Sequence, residues 1–322
     1  MAHTATRPRL WYRRSGQGDP FLLITGFTIS AAIFDPILPL YEDRLECIVY
    51  DHRASGRSEK PPLLTSMPEL AGDAVRVLDE LGIESAHVYG LSMGGMVAQE
   101  MAIRFPERVR GLVVGCATSG GPRAVLPTVK ELATLGVSTV KALREPGRPW
   151  LSAALFSDEF RRERPDRVRE LLAYFAKHRA PPYGALAHLM ASVYHDTTSR
   201  LHLIEAPTLV MHGEEDAMAP IANARLIARR IPDAELAVVP GAGHAYGLER
   251  PEASRDLLFD WLDRRGEIAA GARREGIVAA AEPVTRALGL PIGAMRTGAS
   301  LAGLVADKIR GGGDVAADRR AA

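Results

Sequence analysis

A serine flanked by two glycines, in the stretch Gly-Leu-Ser-Met-Gly at residues 90–94, is the segment best suited to covalent chemistry. It follows a short apolar run, residues 86–89, and opens a helix-like run, residues 93–105. A serine between a strand and a helix requires a sharp turn, which small residues at the flanking positions permit. Such a turn lifts the hydroxyl away from the sheet, so Ser92 is a candidate nucleophile.

A nucleophilic serine needs a base to take its proton and a carboxylate to orient that base. Two further strand-like runs, residues 207–211 and 236–239, each end just before a candidate partner. Asp216 follows the first run, and the glycine-flanked His244 follows the second. The order Ser92, Asp216, His244 is the one expected when the nucleophile stands on a strand-to-helix turn. The three residues therefore predict acyl transfer.

Alternating strand and helix patterns surround these residues. Strands are predicted at residues 10–12, 21–25, 45–50, 86–89 and 109–114. Apolar residues at helical spacing, from Leu70 to Leu81, predict a helix that Ser66 and Glu69 would begin as a capping box. This alternation implies a mostly parallel sheet with ligand sites at the carboxyl ends of its strands. The three candidate residues would then meet at one edge.

Five ordered segments are similar to the α/β-hydrolase superfamily, over about residues 9–265. They are residues 25–27, 51–58, 90–95, 212–216, and 241–244 followed by 249–252. The resemblance implies the α/β-hydrolase fold: a mostly parallel central sheet flanked by helices, with a helical cap inserted after the sixth strand. Within the superfamily, the chain resembles the enol-lactonase and small-ester hydrolase branch most.

The resemblance also implies a role for each site residue. Ser92 would be the nucleophile, His244 the general base and then acid, and Asp216 its orienting carboxylate. The backbone N–H groups of Phe27 and Met93 would form an oxyanion hole. The implied reaction is cleavage of a carboxylic ester, lactone or enol-lactone of small to medium size through an acyl-enzyme. No cofactor and no metal ion are expected.

The acid of the triad has rivals in the sequence. Glu214 and Glu215 adjoin Asp216, and the spacing favours Asp216. Some members of the superfamily place the acid after the sixth strand instead. Residues 116–121 contain no carboxylate, which removes that alternative here.

The chain departs from the superfamily pattern at two positions. Thr25 stands where a histidine is common, which removes a polar side chain from the predicted oxyanion loop, and Ala54 stands where a glycine is commoner. A C–C bond hydrolase, a cofactor-free lyase and a perhydrolase can carry the same triad, and all remain alternatives. A ligand-binding protein without catalysis is a further alternative.

Residues 121–199 interrupt the strand and helix alternation with helical stretches separated by prolines. The resemblance implies a cap that covers the site and selects the substrate, between core segments 1–120 and 200–265. The candidate substrate-binding residues in this cap are Trp150, Phe156, Tyr183 and Met190.

The composition of the 322-residue chain fits a large α/β core, with 47% hydrophobic residues. A formal net charge of +1 gives no signal for nucleic acid, so the expected partner is a small-molecule substrate. Cys47 and Cys116 lie in apolar runs and are predicted to be free buried thiols. The N-terminus lacks the apolar segment of a secretory signal, and no run is long enough to cross a membrane. These features predict a cytoplasmic protein.

A predicted helix at residues 251–265 closes the fold, and residues 266–322 form a C-terminal extension. Leu301, Leu304, Val305 and Ile309 repeat at helical spacing, which predicts a short amphipathic helix. Residues 311–322 are small and polar, and disorder is predicted there. The first interpretation is an accessory helix against the body, and the second is contact with a partner, another subunit or a membrane surface.

Overall fold

The computed structural model describes residues 2–61, 64–126, 152–178 and 180–265. The chain divides into two compact units, Met1–Trp261 and Leu262–Ala322. Of the second unit, only residues 262–265 are described, and residues 262–264 are helical. The predicted amphipathic helix and tail, like Trp150, lie outside the described residues.

An eight-stranded sheet forms the centre of the first unit, in the order β1-β2-β4-β3-β5-β6-β7-β8. The strands are β1 (Ala2–His3), β2 (Trp11–Ser15), β3 (Asp19–Ile24), β4 (Leu45–Tyr50), β5 (Ala86–Leu91), β6 (Val109–Gly115), β7 (Thr208–Gly213) and β8 (Ala234–Val239). Strands β3 to β8 pair in parallel, whereas β1 and β2 are antiparallel to their neighbours. The predicted α/β-hydrolase fold with a mostly parallel sheet is confirmed.

The described helices follow the predicted alternation. They are α1 (Met67–Glu80), α2 (Met93–Arg104), α3 (Ser152–Leu155), α4 (Asp158–Glu163), α5 (Pro165–Lys177), α6 (Pro182–Val193), α7 (Ala222–Arg230), α8 (Tyr246–Glu249) and α9 (Pro251–Arg264). The predicted capping box begins α1: the Ser66 hydroxyl accepts the Glu69 N–H, and the Glu69 carboxylate accepts the Ser66 N–H. Two N–H groups of the first turn thereby find acceptors.

Both faces of the sheet are covered, because successive side chains of a strand point to opposite sides. Leu22 of β3 belongs to the core on the face where α1 and α2 pack. The adjacent Phe21 lies on the other face, where the centroid of its ring is 5.8 Å from that of Tyr41. The ring of Tyr41 also packs against that of Phe259 in α9, with their centroids 6.0 Å apart. A sheet buried on both sides holds the ends of its strands in fixed positions.

Helices α3 to α6 lie between β6 and β7 and form the cap. Hydrogen bonds tie this cap to three loops that follow sheet strands. The Ala245 N–H donates to Leu155 O at 2.8 Å, and the Ala180 N–H donates to Thr28 O at 2.6 Å. The His188 ring hydrogen bonds to Arg53 O at 2.9 Å. The cap therefore sits over the carboxyl end of the sheet.

Three further features concern the cysteines, residue 54 and the apolar character of the helices. Both cysteines are buried, and neither is joined in a disulfide. Ala54, which replaces the commoner glycine, has φ 63° and so adopts the left-handed conformation that glycine favours. In the described parts of the chain, no helix combines the length and apolar character needed to cross a membrane.

Candidate active site

Ser92 occupies the predicted sharp turn between β5 and α2. Its φ of 56° and ψ of −118° are strained for a residue with a side chain. The flanking glycines permit this turn: a Cβ on Gly90 would overlap the Gly94 carbonyl, and one on Gly94 would overlap the Ile24 carbonyl. The Ser92 N–H donates to Gly115 O at 2.7 Å, which ties the turn to the end of β6.

The structure brings the three predicted residues of the triad together. Nε2 of His244 lies 3.0 Å from Oγ of Ser92, and Nδ1 of His244 lies 2.8 Å from Oδ2 of Asp216. Asp216 and His244 are buried, whereas Ser92 is half-buried and open to solvent. The second carboxylate oxygen of Asp216 accepts the N–H groups of Met218 and Ala219, both at 2.8 Å. Asp216 is thus held so that one oxygen faces the imidazole.

The two rival carboxylates lie elsewhere. Glu214 and Glu215 are exposed, and Glu214 accepts the Gly241 N–H at 3.1 Å. Neither has a hydrogen bond to His244 in the described part of the chain. The geometry therefore favours Asp216 as the partner of the imidazole.

Burial and charge act in opposite directions on His244. Burial disfavours the imidazolium, but the contacts with Asp216 and Cys116 together outweigh it, and the net effect raises the pKa of His244 well above its usual 6.5. His212 is a second imidazole near this carboxylate, with Nε2 3.3 Å from Oδ2 of Asp216. Burial lowers the pKa of His212, and its Nε2 lies 2.6 Å from Ala219 O. The Asp216 carboxylate acts on both rings, and in His212 burial has the larger effect.

The two predicted oxyanion donors border the nucleophile in sequence or in space. Met93 follows Ser92 directly, and Phe27 adjoins Gly26, where an added Cβ would lie 3.9 Å from Oγ of Ser92. Among the residues that the structure describes, neither the Phe27 nor the Met93 N–H donates a hydrogen bond to the protein. Both groups are thus available to a ligand.

A buried carboxylate supports the loop that carries His244. Glu249 accepts the Gly243 N–H at 2.8 Å and the Ser157 hydroxyl at 2.8 Å. Burial raises the pKa of Glu249, and these hydrogen bonds oppose the rise. Ser157 also caps α4 by accepting the Phe160 N–H. Glu249 joins the His244 loop to the cap, a role that the sequence analysis did not assign.

Cys116 is a second residue that the sequence analysis did not place at the site. It follows β6 directly and is buried, with its Sγ 3.9 Å from Nε2 of His244. The ligand atoms of Cys116, Asp216 and His244 lie within 4.8 Å of one another. The pairing of Leu91 with Gly115 in adjacent parallel strands makes Ser92 and Cys116 neighbours. Strand order is the signal that identifies this residue.

The predicted substrate-binding residues are dispersed. Phe156 is buried, and its ring lies 6.4 Å from that of Phe175 within the cap. Its main chain lies against Gly243, next to His244. Tyr183 is 46% exposed on α6. Met190 lines a cleft of about 250 Å³ between α6, the start of α1 and the end of α2, and Ser92, Asp216 and His244 do not line that cleft.

Comparisons with known proteins agree with the fold. The family model described as alpha/beta hydrolase fold matches residues 19–251. A relative named carbamate hydrolase RutD, from Azorhizobium caulinodans, is 31% identical over 80% of this chain and 96% of its own length. 3-Oxoadipate enol-lactonase 2 from Acinetobacter baylyi is 28% identical over 78% of this chain and 91% of its own.

A solved structure supports the same assignment. A thermophilic esterase from Thermogutta terrifontis is 28% identical and covers 81% of this chain and 96% of its own, with a TM-score of 0.68. The resemblance to a superfamily that includes enol-lactonases and esterases is confirmed. Because the family model covers most of the chain and the sheet has the expected topology, this chain belongs to the α/β-hydrolase family and is a hydrolase.

Proposed function

We propose that this protein is a serine hydrolase that cleaves a carboxylic ester, lactone or enol-lactone of small to medium size. The observation that carries this proposal is the continuous relay from Oγ of Ser92 through His244 to Asp216, with distances of 3.0 and 2.8 Å. A pocket that only retains a ligand needs no oriented base beside a hydroxyl that solvent can reach. The relay therefore favours catalysis over ligand binding.

Each residue has a defined task in the proposed reaction. Nε2 of His244 takes the proton of Ser92 as Oγ attacks the carbonyl carbon, and Asp216 stabilises the resulting imidazolium. The N–H groups of Phe27 and Met93 donate to the oxyanion. The imidazolium then gives its proton to the leaving alcohol. Water, deprotonated by the same imidazole, attacks the acyl-enzyme and releases the acid.

We also propose that residues 121–199 act as the substrate-selecting cap, between core segments 1–120 and 200–265. The hydrogen bond from Ala245 to Leu155 supports this division, because it joins the cap to the residue after His244. Near this contact, the cap holds the rings of Phe156 and Phe160, whose centroids lie 5.6 Å apart. We expect an apolar lining at this point to favour uncharged acyl or alcohol groups.

The test is turnover on a panel of 4-nitrophenyl acetate, butyrate and octanoate, simple lactones, an enol-lactone and an aryl carbamate. Ser92→Ala should lower the rate on every cleaved substrate by at least ~1000-fold. Ser85→Ala is the matched control, because Ser85 precedes the same strand at its other end and its hydroxyl accepts from Arg110. That variant should remain within about twofold of wild type.

The substrate that is cleaved fastest identifies the acyl class. A C–C bond hydrolase, a lyase or a perhydrolase would share the relay but would give different products. A folded wild type that cleaves no member of the panel, or a Ser92→Ala variant that retains full activity, would contradict the proposal.

A further inference from the structure

The reactive nitrogen of His244 has two neighbours. Nε2 lies 3.0 Å from Oγ of Ser92 and 3.9 Å from Sγ of Cys116. The proposed hydrolysis uses Ser92 at Nε2 and Asp216 at Nδ1, so it has no task for a thiol. A thiol beside an oriented imidazole is a ligand pair for soft divalent cations.

We propose that Cys116 and His244, with Oγ of Ser92, form an inhibitory site for a thiophilic divalent cation of the Zn²⁺ and Cd²⁺ class. This inference rests on the proposed function, because the cation inhibits by taking the His244 lone pair that catalysis needs. No metal ion is expected from the sequence, and the proposed cation is an inhibitor, not a resident cofactor.

The observed distances fit a tetrahedral ion closely. Bonds of about 2.3 Å to sulfur and about 2.05 Å to nitrogen place the two ligand atoms about 3.6 Å apart. Cys116 and His244 stand at 3.9 Å, so they need approach by only about 0.3 Å. An oxygen ligand would lie about 3.3 Å from the same nitrogen, and Ser92 stands at 3.0 Å. Small side-chain rotations suffice for both.

The other ring nitrogen is already arranged as metal sites require. Histidine ligands usually donate their second N–H to a carboxylate, which fixes the tautomer and orients the ring. Nδ1 of His244 has this partner in Asp216 at 2.8 Å, and the other oxygen of Asp216 is held by Met218 and Ala219. The lone pair of Nε2 is therefore directed toward Ser92 and Cys116. Asp216 and His244 therefore have the arrangement in which a carboxylate orients a histidine that binds a metal.

The chemistry of the ligands determines which ions can bind. Binding forms one bond to the Cys116 sulfur and one to Nε2, releases to solvent the thiol proton and, where the ring is charged, the proton of Nε2, and changes no oxidation state. Burial raises the pKa of the Cys116 thiol. Mg²⁺ and Ca²⁺ prefer several oxygen ligands and should not bind, because both oxygens of Asp216 are engaged. The half-buried Ser92 gives the ion a route from solvent.

The first test measures binding without turnover. Cd²⁺ is titrated into the full chain, and the ultraviolet absorption of the Cd²⁺–thiolate bond is recorded. Wild type should show one equivalent, and Ser92→Ala should keep the absorption band because the thiolate and imidazole remain. Cys116→Ser should lose the band and should bind Cd²⁺ at least ~10-fold more weakly than wild type. Cys47→Ser is the matched control, because Cys47 is buried in β4, separated from β6 by β3 and β5.

The second test measures inhibition of ester cleavage, with each variant compared to its own rate without metal. Zn²⁺ and Cd²⁺ should inhibit wild type and Cys47→Ser equally, and a chelator should restore the rate. The inhibition constant should rise at least ~10-fold in Cys116→Ser. Mg²⁺ should have no effect. Cys116→Ala serves as a second variant if circular dichroism shows that the serine variant is misfolded.

The two tests separate the two proposals. A folded wild type that hydrolyses nothing but shows the Cys116-dependent band would refute the hydrolase proposal and leave the cation site standing. Active wild type without a thiolate band would overturn the cation site alone. Equal inhibition of wild type and Cys116→Ser would also overturn it.

Discussion

Replacement of Asp216 by asparagine should abolish catalysis while preserving the fold. Oδ1 of Asp216 accepts the N–H groups of Met218 and Ala219, and Oδ2 faces Nδ1 of His244 at 2.8 Å. In the variant, the two backbone donors hold the amide oxygen, so the amide NH₂ faces His244. Nδ1 must then accept a hydrogen bond, and the ring proton moves to Nε2. A protonated Nε2 cannot take the proton of Ser92.

The expected size of the effect follows from this tautomer change. In serine proteases, the same change lowers kcat by ~10⁴-fold, which corresponds to about 5.5 kcal/mol in the barrier. Asparagine keeps both backbone hydrogen bonds, so the free energy of unfolding should fall by only about 1 kcal/mol. Asp216→Ala leaves two partly buried N–H groups without an acceptor, and should lose about 1–2 kcal/mol for each as well as the activity.

Release of 4-nitrophenol at saturating ester measures kcat, and urea unfolding measures stability. Glu215→Gln is the matched control, since this exposed carboxylate is the sequence neighbour of Asp216, and its kcat should stay within about twofold. A folded Asp216→Asn variant that keeps more than a tenth of wild-type kcat would refute the tautomer argument. A large loss of kcat in Glu215→Gln would show that Glu215, and not Asp216, orients the imidazole.

Three further predictions follow from buried charges. Burial opposes the charged imidazole of His244, but the contacts with Asp216 and Cys116 together raise its pKa above 6.5, and only the neutral ring can act as base. The value of kcat/KM should therefore fall as the pH drops through a midpoint above 6.5. A midpoint below 6.5 would contradict the proposed base. Glu249→Ala leaves the Gly243 and Ser157 N–H groups unpaired and should cost about 1–3 kcal/mol in urea unfolding, whereas an unchanged midpoint would show that the link to the cap is dispensable. Burial raises the pKa of Glu100, but hydrogen bonds from Arg200 and Arg104 have the larger combined effect, and the net pKa lies below 4.5. The stability advantage of wild type over Glu100→Gln should be present above pH 4.5 and shrink as pH falls through the folded-state pKa, and an advantage that persists in strong acid would be inconsistent with this pairing.

Several parts of the fold and site follow from the sequence because local chemistry specifies them. The turn at Ser92 needs close backbone approach at Gly90 and Gly94, and the sequence shows both glycines between an apolar run and a helical one. Parallel strands end at one sheet edge, so residues that follow them must converge there. Asp216 and His244 are placed by that rule.

Cys116 does not follow from its local sequence, because it is one small residue in an apolar run. Its position beside Ser92 depends on β5 and β6 being neighbours and on the register that pairs Leu91 with Gly115. Strand order is a property of the whole sheet. The residue type alone predicts only burial.

The face of α6 that meets the core also cannot be predicted from the sequence. This helix contains no charged residue, so its periodicity does not separate a buried face from an exposed one. The structure buries its small residues, such as Gly184, and leaves Tyr183 46% exposed. Gly184 lies against the Ala54 carbonyl, where a Cβ would overlap. Close approach of the backbones, not the pattern of large apolar residues, sets the orientation of the helix.

The reactivity of Ser92 is the central claim, and covalent labelling tests it most directly. The full chain is incubated with a fluorophosphonate probe, and the intact mass and labelled peptide are determined. We predict a single adduct on Ser92 that is absent in Ser92→Ala and retained in Ser85→Ala. A folded wild type that stays unlabelled, or an adduct that persists in Ser92→Ala, would contradict the account.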